Sequence, residues 1–220
     1  MKQILLLATI VAIFNLTASA QIKKGSILLG GQVAYADYNS KFTITQNKQK
    51  NGGMILNISA GAAFKENRVI GISANYYHVT DDYASGGSVY GNIKFNRLNI
   101  DAFYRVYKKL AKDLYLFGEM GAGYVGNDET DTNLSNNADV TKYITSGGEL
   151  YVTPGVAYRI YKKLQVELVI PRIGETNYTH QTKTTQPSNT DDYSRNGFYF
   201  NSSLNGNFLG NLALGFKFVL

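Results

Sequence analysis

After residue 20, apolar residues in this chain recur at every second position and almost never at the 3.6-residue spacing of a helix. The C-terminus shows the pattern best. Leu212, Leu214, Phe216, Phe218 and Leu220 share one face, while Asn211, Ala213, Gly215, Lys217 and Val219 share the other. The same alternation places Ile27, Leu29 and Val33 opposite Leu28, Gly30 and Gln32, and Leu56, Ile58 and Ala60 opposite Asn57, Ser59 and Gly61. It continues through Ile70, Ile72 and Ala74, through Leu98, Ile100 and Ala102, and through Leu116, Met120 and Ala122. Val152, Val156 and Tyr158, then Leu164, Val166 and Leu168, complete the series. The reading predicts about eight strands, each close to the ~9–11 residues that carry a tilted strand across a bilayer.

The connections alternate in length. Residues 65–67, 107–113 and 161–163 are short turns, whereas residues 39–51, 80–92, 127–148 and 174–196 are expected to be long polar loops. An even number of antiparallel strands with both termini at the short-turn end produces this parity. Two short turns echo one another: Tyr104-Arg-Val-Tyr-Lys-Lys-Leu110 recurs as Tyr158-Arg-Ile-Tyr-Lys-Lys-Leu164. Pro154 and Pro171 fall inside or near strands and predict a bulge or a strand end, because a closed sheet has no free edge to host them. The pattern does not fix where the last strand begins, within the irregular residues 198–210.

The fold class expected is therefore all-β, a closed antiparallel up-and-down barrel. Residues 1–20 are read separately. Lys2 precedes an apolar run over residues 4–16, and Ala18-Ser-Ala20 supplies the small residues of an export cleavage site. The run is too short for a membrane-spanning helix. The expected organisation is a cleaved signal at 1–20 and one barrel domain at 21–220. With no cysteine in the chain, lipid attachment, disulfides and thiolate metal sites are all excluded.

Alternation alone leaves two barrels open, one facing lipid and one a soluble lipocalin-like carrier. The polar row decides between them. It carries Asp101, Arg105, Glu119, Arg159, Glu167 and Lys217 among many glycines, which suits a narrow polar lumen. The apolar rows end in Tyr35, Tyr76, Tyr104, Tyr124 and Tyr158, as interfacial girdles do. Charges enclosed in a small barrel must be paired. Ion pairs are therefore expected between Arg105, Arg159 and Lys217 and the acids Asp101, Glu119 and Glu167, forming a structural plug. The net charge of +6 sits largely at turns, not in a groove for nucleic acid.

Leu116-Phe-Gly-Glu-Met-Gly-Ala-Gly-Tyr124, Thr153-Pro-Gly-Val-Ala-Tyr158 and Leu214-Gly-Phe-Lys-Phe-Val-Leu220 carry a family resemblance. The layout resembles the eight-stranded outer-membrane barrels of the OmpA-transmembrane-domain and OmpX-like group. It looks most like the outer-membrane β-barrel proteins of Bacteroidota. One departure is the terminal Leu220, where that group usually ends in an aromatic residue. The resemblance implies a bacterial outer-membrane location and contact with lipid and lipopolysaccharide. It also implies handling by the barrel assembly machinery and a host or cell-surface ligand for the long loops.

Some barrels of this kind modify lipid A with a histidine, a serine and an acid. Here His78-Val-Thr80 and His180-Gln-Thr182 have threonine in the serine's place, and no acid stands at strand spacing to orient either ring. His78 is therefore read as a girdle residue and His180 as a loop residue. The acidic groups Asp81-Asp82, Asp128-Glu129 with Asp131, and Asp191-Asp192 match no calcium-loop spacing and read as solvated loop charge. No cofactor or metal is expected. The expected role is non-enzymatic: surface contact, adhesion, defence or envelope structure. A small passive pore and a lipid A-modifying enzyme are the alternatives.

Overall fold

The computed structural model describes residues 22–42, 47–85, 88–133, 139–186, 192–202 and 212–220. The expected signal segment, residues 1–20, lies outside them. Ten strand segments follow one another: β1 (Ile27–Phe42), β2 (Asn47–Lys65), β3 (Arg68–Ser85), β4 (Ser88–Lys109), β5 (Leu114–Asn133), β6 (Val140–Tyr161), β7 (Leu164–Val169), β8 (Gly174–Gln186), β9 (Tyr193–Asn201) and β10 (Ala213–Val219). All pairings are antiparallel, and consecutive partners run from β1 through β7 to β10 and back to β1 as a ring.

Ten segments replace the expected eight strands because two strands are interrupted. β7 and β8 lie end to end along β6: Gly155 faces Val169 on β7, while Val152 faces Gly174 on β8. Two residues of β6, Thr153 and Pro154, thus stand opposite the four residues 170–173, a wide bulge at which both prolines sit. Pro154, lacking an N–H, falls where β6 changes partners, and its carbonyl accepts from Ile170 at 3.0 Å. Arg172, just after Pro171, takes a left-handed φ of 49°. In the same way β9 runs along β8 and β10 along β7, which locates the two parts of the last strand.

The four connections expected to be long loops are mostly strand. The β1–β2 ladder extends to Phe42↔Asn47, and β3–β4 extends to Ser85↔Ser88. β5–β6 pairs Thr132 with Val140, and β6–β8 reaches Val140↔Gln186. Strands of up to 22 residues far exceed what a bilayer requires. These upper segments are rich in Thr, Asn, Ser and Tyr. Such residues keep the backbone ladder but carry no apolar alternation, so the hydrophobic pattern ends before the strands do.

The two faces have opposite chemistry. Ile72 (66% exposed), Ile100 (54%), Leu150 (60%) and Phe216 (47%) project outward. Asp101, Arg105, Glu119, Glu149, Glu167 and Lys217 are buried inside the ring. At the short-turn end the interior is apolar: Phe103, Tyr107, Tyr115 and Phe117 pack with Leu28, Val69 and Val169. Ile22, fully buried, closes that end from below. Its N–H donates to the Asn67 side chain at 3.2 Å, and its carbonyl accepts from the Asn67 N–H at 3.0 Å.

Substitution of the outward face tests this assignment. Leu56→Arg, Ile100→Arg or Leu168→Arg should cost about 2–4 kcal/mol near the bilayer midplane, read from urea titrations of protein refolded into vesicles. Thr184→Arg, outward on β8 but beyond the apolar band, should change stability by less than about 0.5 kcal/mol. Equal costs at both places would reverse inside and outside.

Candidate functional site

The interior is layered along the strands. Above the apolar layer, Arg105 on β4 places Nη2 2.7 Å from Glu119 Oε2 on β5 and Nη1 2.8 Å from Glu167 Oε1 on β7. The Tyr107 hydroxyl is 3.0 Å from Nη1 and 3.3 Å from Glu167 Oε1, and the Tyr151 hydroxyl donates to Glu119 Oε1 at 3.1 Å. The guanidinium carbon lies 4.3 Å from the Phe117 ring centroid. Planar delocalised charge suits this position, where one face stacks and the edges bind two carboxylates.

A second cluster lies above the first. Arg172 Nη2 is 2.8 Å from Glu149 Oε1 and 3.1 Å from Asp101 Oδ2, and Nη1 is 3.4 Å from Glu175 Oε2. Arg97 Nη2 reaches Glu149 Oε2 at 2.8 Å and Glu175 Oε1 at 2.5 Å, while its Nε donates to Asn99 Oδ1 at 2.9 Å. Asn99 in turn donates to Glu149, and Asn75 donates to Asp101 Oδ2 at 3.1 Å. Two inward glycines on β5 make the space: a Cβ on Gly121 would strike the Tyr151 ring, and one on Gly123 would strike the Asp101 carboxylate. Arg172 stacks on Tyr151 at 4.5 Å. The cavity left beside the two clusters is about 40 Å³, room for roughly three waters.

Of the six charges singled out from sequence, Arg105, Glu119 and Glu167 meet one another. Asp101 does not pair with any of the three expected cations; Arg172 takes it. Lys217 donates to the Ser59 hydroxyl instead of joining an acid, having Ser59 as its neighbour across β10, β1 and β2. Arg159 lies over the Tyr115 ring at 5.6 Å, near the short-turn end of β6. Arg97, Glu149, Arg172 and Glu175 were not foreseen. Glu175 fell in an expected loop, Arg97 and Glu149 lay just beyond the apolar alternation, and Arg172 enters the lumen only through the bulge. A polar alternation continuing past the apolar one was the available signal.

Above the second cluster the ring opens into a polar cup of about 190 Å³, with Arg97 among its lining residues and Asn127, Thr145, Asn177, Thr179 and Tyr199 around it. On the outer surface, the two histidines prove to be oriented by amides. His78 Nδ1 is 2.7 Å from Asn96 Oδ1, and His180 Nδ1 is 2.9 Å from Asn196 Oδ1, each directly across the ladder. His180 thus sits on a strand and not in a loop. Its Nε2 lies 3.1 Å from Ser194 Oγ, whereas His78 Nε2 lies 3.4 Å from Thr80 Oγ1. Tyr76 and Tyr178 precede the two rings by two residues, so both rings stand one step above the aromatic belt. The Tyr35 side chain lies outside the described residues.

The acidic groups are partnered or dispersed. Asp82 accepts from Asn92, Asp128 is 3.3 Å from Lys142 Nζ, and Asp192 accepts from the Thr185 N–H at 2.8 Å. Among the described residues no group of three His, Cys, Asp or Glu side chains is arranged to hold a metal. Asp191 lies outside them.

An apolar exterior around a charged interior inverts the arrangement of a water-soluble protein, and residues 5–205 match the family model of the outer membrane protein beta-barrel domain. The chain belongs to that family. It is an outer-membrane protein. Among solved structures it is similar to the outer membrane protein OprG of Pseudomonas aeruginosa, at 14% identity and TM-score 0.50, with 90% of this chain and 97% of that one covered. It is also similar to a major outer membrane protein of Thermus thermophilus (10% identity, TM-score 0.43, covering 89% and 99%). A third similar structure is the outer membrane protease OmpT of Escherichia coli (9% identity, TM-score 0.36, covering 92% and 96%). The first of these supports the fold alone. No curated protein matches the chain.

Removing one partner from an enclosed pair exposes how much the plug matters. Arg105→Met, which strands Glu119 and Glu167, should cost about 3–5 kcal/mol. Lys142→Met, which removes only a half-exposed pair with Asp128, should cost no more than about 1 kcal/mol. The same urea titrations read both, and equal losses would mean that the Arg105 cluster is not the enclosed one.

Proposed function

We propose that this protein is a closed transmembrane barrel of eight strands that does not conduct and that works through its extracellular hairpins. In this reading the short turns face the periplasm. The hairpins, extended well beyond the apolar band, present a surface for contact with other cells, host molecules or neighbouring envelope components. No enzymatic step is required. The observation that carries the reading is the double ion cluster, in which Arg97, Arg105 and Arg172 bridge five carboxylates, one from each of the segments β4 to β8. Passage of a hydrated ion would require breaking several of these enclosed pairs at once, each costly to separate. The passive-pore alternative is correspondingly disfavoured.

Planar-bilayer recording tests it. The native protein should give no conductance steps, and neither should Arg97→Ala/Arg172→Ala, because the Arg105 cluster and the apolar floor still fill the lower lumen. Steps from the native protein would end the closed-lumen reading.

One observation favours a second reading, an ester hydrolase on the outer face. Ser194, His180 and Asn196 have the order of nucleophile, base and orienting group. With Nδ1 donating to Asn196, Nε2 is left to accept the serine proton. The group lies just above Tyr178 and Phe198, which face each other across β8 and β9 at the level of lipid headgroups. The non-enzymatic reading expects His78→Ala, His180→Ala and Ser194→Ala to leave both lipid A acylation and the hydrolysis of acyl nitrophenyl esters unchanged. Loss of hydrolysis in Ser194→Ala and His180→Ala, but not in His78→Ala, would establish the hydrolase.

A further inference from the structure

The polar cup lies above ion clusters whose side chains occupy the lumen beneath it. Its volume of about 190 Å³ is below the ~300–1,000 Å³ of pockets for drug-sized molecules, which limits the occupant to a small solute or the end of a larger one. Two buried acceptors in its wall lack a protein partner, Asn127 Oδ1 and Asn177 Oδ1. Asn177 is only 6% exposed, and its Nδ2 donates to Glu175 Oε1 at 2.6 Å. The amide is thereby fixed, and its carbonyl oxygen is left buried and without a partner beside the cup. Thr145 and Thr179 add hydroxyls that can donate or accept.

Charge narrows the occupant's chemistry. Arg97 lines the cup, but its Nη2 is engaged by Glu149 and Glu175 and its Nε by Asn99, so its charge is already balanced. An anion would meet an arginine whose charge two carboxylates already share. A cation would find no carboxylate among the lining residues. An apolar solute would leave the amide oxygens unpaired, at about 1–3 kcal/mol for each. What remains is a neutral molecule bearing several groups that both donate and accept. Tyr199 adds an aromatic ring to one side of the cup, giving an apolar face beside a hydroxyl.

We infer that the cup between Asn127, Thr145, Asn177 and Tyr199 binds one neutral sugar ring, presented from outside the cell. Alternating hydroxyls match the interleaved amides and threonines, and the C–H face of a pyranose matches the tyrosine. The ring can come from a free monosaccharide or from the terminus of a glycan. The inference rests on the proposed orientation with hairpins outward, and it gives the contact surface a ligand class.

The test is saturation-transfer NMR on the full protein in a zwitterionic, sugar-free detergent. The probes are methyl glucoside, methyl galactoside, methyl mannoside and N-acetylglucosamine, with glucosamine and glucuronate as charged analogues. A neutral sugar should give saturable transfer. Asn127→Leu and Thr145→Val, which keep the branching and heavy-atom count of the originals, should weaken it about tenfold, the loss of about 1.4 kcal/mol expected from one hydrogen bond. Heat-modifiable migration on gels checks that the variants remain folded. If free sugars are silent but a soluble oligosaccharide binds and the variants lose it, the glycan terminus is the source. Three results overturn the inference: no saturable signal from any neutral probe or oligosaccharide, binding unchanged in both variants, or charged analogues binding as well as neutral ones. Bilayer recording separates the two proposals. Sugar binding with native conductance keeps the cup and ends the closed lumen, whereas silence in both experiments ends the cup alone.

Discussion

Inside a bilayer a peptide group has no water to bond to, so each N–H and C=O that faces hydrocarbon must be satisfied by another strand. That requirement accounts for the pairing of β1 with β10, which joins the two ends of the chain and turns a sheet into a ring at the level of the outward Leu29, Phe216 and Phe218. The ring then fixes which side chains are enclosed. A ring this small surrounds a space just wide enough for side chains, and the residues alternating with the lipid-facing row have nowhere else to go. Their polarity is tolerated only because they bond to one another.

The interior solves this with two arginine-centred clusters and an apolar floor. Arg105 is held by stacking on one face and carboxylates at its edge, a geometry lysine could not reproduce. The upper cluster depends on a defect in the sheet. Where Pro154 and Pro171 interrupt pairing between β6 and its neighbour, four residues face two, and Arg172 in a left-handed conformation turns its side chain into the lumen. The bulge therefore has a chemical consequence. It supplies a cation to Asp101, Glu149 and Glu175, which would otherwise have only Arg97 among them. It also separates the side-chain-filled lower lumen from the polar cup above.

Much of this was legible in the chain. The alternation at Leu212 to Leu220, the short turns near Asn67 and Tyr161, and the inward sequence Asp101, Arg105, Glu119 and Glu167 all indicated a barrel with a charged interior. The upper halves of the strands were not legible as strands, because residues such as Thr141, Thr145, Thr179 and Gln181 carry no apolar alternation. An apolar row reports contact with lipid and stops where lipid stops, whereas the backbone ladder continues. The histidines illustrate another limit. The groups that orient His78 and His180 are Asn96 and Asn196, which stand 18 and 16 residues away in sequence and directly opposite in the ladder.

By itself the sequence determined the faces of the strands, the alternation of turn lengths and the presence of enclosed charge, because each follows from a local period of two and from which residues tolerate water or lipid. The tertiary structure decided the partners. Arg105 and Glu119 are 14 residues apart, but Arg105 and Glu167 are separated by 62 and Arg97 and Glu175 by 78. Such pairs meet only after strand register and ring closure set the relative heights of distant strands. Asp101 accordingly pairs with Arg172, and Lys217 with Ser59, although composition alone offered each a nearer partner of opposite charge.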